Sequence, residues 1–74
     1  MKPIIVSPHA FIRVHERRIT REEVEAAIRA PDLKVPAQGG KLRAIKRFGS
    51  HALHVFYRET KFSIIFVAAY RRQA

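Results

Sequence analysis

The sequence predicts an α+β fold: two N-terminal helices packed on one face of a three- to four-stranded antiparallel meander sheet, in a single domain spanning residues 1–74. Capping patterns at Ser7 and Thr20 start two helices, and from Lys41 the apolar period changes from helical to two. Turn residues at Gly49-Ser50 and Glu59-Thr60-Lys61 then cut the second half into strands. Helices followed by a run of strands segregate into two layers.

The chain opens with Lys2-Pro-Ile-Ile-Val6, a short apolar strand or arm that Pro3 confines to a sheet edge or a strand start. Ser7 is a good N-cap, and Pro8 suits the first helical position because its missing N–H would have no partner there. In the helix that follows, His9, Arg13, Glu16 and Arg17 share a polar face, and Ala10, Phe11 and Val14 an apolar one. Thr20 with Glu23 is a capping box that starts the second helix, whose Val24, Ala27 and Ile28 form a core-facing stripe. Glu22, Glu23 and Glu25 suit its first turns and Arg29 its last, and Ala30-Pro31-Asp32 stops it. Residues 33–40 read as mostly loop, with Val35 pairing at most briefly at an edge, because Pro36 and Gly39-Gly40 oppose anything longer.

From Lys41 to Phe48, residues 42, 44 and 48 are apolar and 41, 43 and 47 basic, an alternation that Ile45 and Lys46 interrupt. After the tight turn at Gly49-Ser50, Ala52 to Arg58 places Leu53, Val55 and Tyr57 on one face and His54 and Phe56 on the other. The last strand, Phe62 to Tyr70, is apolar throughout Ile64 to Ala69 and reads as a central strand covered on both faces. Lys61, Arg71 and Arg72 flank it as charged gatekeepers.

A chain of 74 residues buries only about 60% of the surface its unfolded form exposes, so an oligomer or a partner would add to its stability. It has no cysteine, which excludes disulfides, thiolate chemistry and Cys-based metal sites. No signal peptide is visible, and the run Ile64 to Ala69 is far short of the roughly 20 residues a bilayer span needs. The chain therefore reads as a cytoplasmic protein with no membrane partner. Its net charge is +9, with a balance of +2 over residues 1–30 and +7 over residues 31–74. Lys41, Arg43, Lys46, Arg47 and Arg58 stand together with no acid between them. Such a field suits RNA, DNA or an acidic protein; the plainer alternative is a solvated surface that keeps a small protein soluble.

The pattern Ser-x-His-Ala-x-x-Arg-x-x-Glu-Arg-x-Ile-Thr-x-Glu-Glu-Val, carried by Ser7, His9, Ala10, Arg13, Glu16, Arg17, Ile19, Thr20, Glu22, Glu23 and Val24, resembles the start of the small bacterial DUF4258 domains. Ile45 to Phe48, Leu53 to Tyr57 and Ile65 to Tyr70 are similar to that family's closing strands. The resemblance covers nearly the whole chain. That family's layout is similar to the RelE-like and barnase-like ribonucleases, which cleave RNA without metal, and this likeness implies a toxin of a toxin–antitoxin pair with an acidic antitoxin-like partner. That last step is a fold-level analogy, and no catalytic residue is carried over by it.

Metal-free RNA cleavage needs a base, an acid, and cations that hold the developing phosphorane charge. His9, in the first turn of a helix, suits the acid or base, and Arg13 one turn on suits a bidentate phosphate clamp. Lys46 and Arg47 on the facing strand would add charge, and Tyr57 or Tyr70 would position the base or the proton. The catalytic set is thus His9, Arg13, Lys46 and Tyr57, with Arg17, Lys41, Arg43, Arg47, Arg58 and Tyr70 as nucleic-acid contacts. This reading requires His9, Arg13 and the strand cations to face one hollow. Each residue also has a structural role open to it: His9 in solvating a helix start, Arg13 in an exposed pair with Glu16, Tyr57 and Tyr70 in the core. His51-x-x-His54 lacks a third ligand, so neither metal nor cofactor is expected. His15, Arg71 and Arg72 read as surface. Two functions remain open: a metal-independent ribonuclease, or a non-catalytic basic module that binds RNA or protein.

Overall fold

Both helices start at the residues that cap them. In the computed structural model, which describes residues 1–73, helix α1 (Pro8–Glu16) follows Ser7, whose hydroxyl accepts from the Ala10 amide at 3.2 Å. Helix α2 (Arg21–Arg29) follows Thr20, and the capping box is reciprocal: Thr20 Oγ1 accepts from Glu23 N at 3.1 Å, and Glu23 Oε1 accepts from Thr20 N at 2.9 Å. That bond from the Thr20 backbone holds the Glu23 carboxyl below its ordinary pKa; partial burial opposes it, while the Thr20 hydroxyl and Arg71 reinforce it.

The corner between the helices closes tightly. Ile19 N donates to Val14 O at 2.9 Å and Arg18 N to His15 O at 3.0 Å, the paired bonds of a Schellman motif. Arg18 sits at φ 56, the left-handed position that glycine usually fills, and it is the only non-glycine residue at positive φ among the described residues. Arg71, from the last strand, fastens the corner from below. Its guanidinium donates to Arg17 O at 2.8 Å and Arg18 O at 2.7 Å and pairs with Glu23 at 3.1 Å.

Strands β1 (Ile4–Ile5), β2 (Leu33–Pro36), β3 (Leu42–Phe48), β4 (His51–Glu59) and β5 (Ile64–Gln73) form one sheet in the order β1-β5-β4-β3-β2. The expected α+β layering is present, but the sheet is larger than a three- to four-stranded meander. Strands β2 to β5 make the antiparallel meander, and β1 adds a fifth strand parallel to β5, with Ile4 opposite Ile64. Four bonds flank and hold this short edge: Ile64 N to Pro3 O at 2.9 Å, Arg29 to Lys2 O at 2.8 Å, and Lys2 Nζ to Glu59 at 2.7 Å and to Thr60 O at 2.8 Å. Residues 33–36, read as mostly loop, pair fully with β3; Pro36 is tolerated because it ends an edge strand. The hairpin between β3 and β4 turns on Gly49 at φ 64, the first of two central residues, which is where a type II′ turn needs glycine.

One face of the sheet holds the core. Ala44 from β3, Leu53, Val55 and Tyr57 from β4, and Ile64, Phe66 and Ala69 from β5 pack with Ala10, Ile19, Val24, Ala27 and Ile28. Helix α1 lies on β5, and α2 lies across β4 and β3. Between Phe56 and Tyr57 the register with β5 shifts: Phe56 faces Ala68 and Tyr57 faces Phe66, so Val67 is an extra, bulged residue. The bulge lets Phe66 and Ala69 both turn inward, and it explains why this apolar run shows no period. The run is not covered on both sides, since Ile65 and Val67 are exposed.

Replacing Arg18 by glycine tests the strain at the corner. Relief of about 1–2 kcal/mol for the left-handed residue, less about 0.5–1 kcal/mol for glycine's greater freedom when unfolded, leaves an expected gain of about 0.5–1 kcal/mol. Urea denaturation of Arg18→Gly reads this directly, and a loss of stability would contradict it.

Candidate nucleic-acid interface

The four residues predicted to form a catalytic set are not brought together. Tyr57 is 1% exposed, a member of the core. Lys46 points to the helical side of the sheet, where its Nζ donates to Ala30 O at 2.9 Å and satisfies a carbonyl at the end of α2. His9 and Arg13 are exposed on α1, which lies over β5, two strands from β3. Arg43 and Arg47 alternate with Ala44 and Lys46 and so point away from both helices. The single positive hollow expected of His9, Arg13, Lys46 and Arg47 therefore does not form. The reason is lateral: the helices sit over different strands, and one-residue steps along β3 divide its cations between two faces.

The predicted nucleic-acid contacts fare differently. Arg17 donates to Ala69 O at 2.7 Å, a backbone carbonyl of β5, and so is engaged in tying α1 to the sheet. Arg58 donates to Gly39 O, in the loop that joins β2 to β3. Arg43, Arg47, Arg58 and Tyr70 all belong to the face of the sheet that neither helix covers, and Lys41 lies where β3 enters it.

The register shows how that face is built. In the centre, His54 opposes Tyr70, with ring centroids 4.9 Å apart and planes inclined by 7°. Phe56, two residues along β4, stacks on the same Tyr70 at 5.9 Å and 29°. The Arg43 guanidinium lies 4.9 Å from the Phe56 centroid, a cation–π contact that closes the row. At one end Arg47 and Arg72 flank Ala52, and at the other stands Arg58. Among the described residues, no outward position of the five strands carries a carboxylate. Beyond Ile65, no strand among the described residues pairs with β5 on the side away from β4, so the far side of Tyr70 faces no neighbouring strand there.

His54 is 9% exposed, and its Nδ1 is buried without a hydrogen-bond partner, as is Nε of Arg43. Burial, then the nearby charges of Arg43 and Arg72, push the His54 pKa below the ordinary imidazole value, so the ring is neutral at pH 7. A neutral imidazole stacks on Tyr70 without adding to a crowded positive field. His51 shares the opposite face with Leu53, so the His-x-x-His pair is split by strand alternation.

Sequence reading missed His54, Phe56 and Arg72 as parts of this site. The signal for the first two was present, since alternation along β4 places both opposite Leu53 and Val55. What was missing was a partner across the strand, because the bulge that turns Tyr70 outward leaves no mark in the apolar run.

The lowered pKa of His54 has a definite sign. The unfolded chain takes up this proton first, so the contribution is intact above the ordinary histidine range and stability is lost as pH falls through that range toward the folded value. Titration of the His54 ring by NMR is expected to give a midpoint below the ordinary value, and His54→Phe is expected to flatten this part of the stability profile. A midpoint at or above the ordinary value would contradict the burial argument. No protein-family model, curated protein or solved structure matches the chain.

Proposed function

We propose that the open face of the sheet binds a single-stranded nucleic acid, RNA in the first instance. The observation that carries this reading is the row Arg43, Phe56, Tyr70 and His54 on a helix-free sheet face, with Arg47 and Arg72 at one end and Arg58 and Lys41 at the other. Bases stack on aromatic surfaces whatever their identity, and cations spaced along the groove take the phosphates. A base seated against the free side of Tyr70 extends an existing stack, and the phosphates on either side of it fall toward the arginines. A four-stranded sheet that displays aromatics on its open face is a recurrent solution for single-stranded RNA; here that is an analogy of surface and not of family.

The ribonuclease reading needs an acid, a base and cations within reach of one phosphate. With Tyr57 in the core and Lys46 engaged at Ala30, the side chains favour binding over cleavage. Stacking is worth about 1–3 kcal/mol per base, so Tyr70→Ala is expected to weaken affinity by about 5- to 150-fold. Five cations at about 0.7 each give a log–log salt slope of up to about −3.5, and each outward arginine replaced by alanine flattens it by about 0.7. Fluorescence anisotropy with an unstructured RNA of about 12 nucleotides, its DNA counterpart and EDTA in the buffer measures both. His9→Ala is expected to leave affinity unchanged and the RNA intact. No binding, binding indifferent to Tyr70→Ala and to Arg47→Glu with Arg72→Glu, or cleavage abolished by His9→Ala would overturn the proposal.

A further inference from the structure

On the helical side, α1 and α2 do not close against each other. They leave a groove of about 510 Å³ whose floor is apolar: Ile4, Val6, Val14, Ile19, Val24 and Phe66. Phe11 stands at its lip, 61% exposed. The charged rim is Arg18 and Arg21 against the single acid Glu25, which lies 3.9 Å from Arg21, with His15 and Thr20 as its other polar groups. An apolar bed of this size inside a basic rim is incomplete packing in a chain that has little core to spare.

We infer that this groove is the docking site for an acidic amphipathic helix of a partner protein. Charge selects the partner: a second copy of this chain would bring another +9 to a rim that is already basic, whereas carboxylates flanking an apolar stripe complement it. The walls select a helix. Two helices bound the groove, and the edge strand beside it, β1, is only two residues long, too short to template an added strand. A partner helix with apolar anchors at i, i+4 and i+7 spans about 10 Å, within the length of about 13 Å of α1. Laid beside α1 and α2, it would complete a three-helix layer over the sheet. The site lies on the opposite side of the sheet from the nucleic-acid face and stands independently of it.

Two synthetic helical peptides test this, with the same leucines at i, i+4 and i+7 and either glutamate or lysine elsewhere. The glutamate peptide is expected to bind at least about tenfold more tightly than the lysine peptide by anisotropy. Phe11→Ser and Arg21→Glu, both at exposed side chains, are each expected to weaken it by about tenfold or more with the circular dichroism unchanged, and Tyr70→Ala is expected to leave it unaltered. Equal affinity for the two peptides, or binding of neither, would overturn the inference. So would sedimentation showing self-association abolished by Phe11→Ser, or Phe11-dependent binding to anionic phospholipid vesicles without peptide binding.

Discussion

A step of one residue along β4 separates the interior of this protein from its solvent face, and the rest of the structure depends on that alternation. Leu53, Val55 and Tyr57 are almost wholly buried under the helices, while His54 and Phe56, between them in sequence, belong to the other side. Two helices of nine residues each cover only one face of a five-stranded sheet. Among the described residues there is no further element over the second face, and its side chains suit contact with water. They are aromatic rings stacked on one another and cations at both ends, which shield much of one another's apolar surface yet leave Tyr70 an unpaired side.

The bulge at Val67 is what makes the two faces compatible. Without the extra residue, Tyr70 would share a face with Phe66 and point toward the core, and Ala69 would point away from it. With it, Ala69 fills the space under α1, Tyr70 reaches His54, and Arg71 turns back beneath the helices to hold the strained corner at Arg18. A single irregularity in one strand thus completes the core, secures the helical connection and assembles the aromatic row. The two candidate sites follow from the same division: the open sheet face offers stacking and charge, and the helical face offers an apolar groove.

Local chemistry made much of the fold legible in the sequence. Ser7-Pro8 and the Thr20–Glu23 box act within four residues, so their helices start where the pattern places them, and Gly49-Ser50 turns where it should. Pairing across the chain was not legible. The parallel contact of Ile4 with Ile64 joins residues sixty apart, and no local signal records it. In the site, the arginines at 43, 47 and 58 were readable from charge and period alone. Lys46 breaks the apolar–basic alternation of β3 by residue type but obeys it in direction, entering the helical side and extending its amine to a carbonyl at the end of α2. Tyr57 and Tyr70 looked equivalent on strands, and only the bulge, which is invisible in a run of apolar residues, sends one inward and the other outward.

Mapping amide chemical shifts during titration with a short unstructured RNA tests the central division of the molecule most directly. The account predicts perturbations concentrated at Arg43, His54, Phe56, Tyr70 and Arg72, with helix α1 silent. Perturbations centred on His9 and Arg13 instead, with β4 and β5 undisturbed, would contradict it.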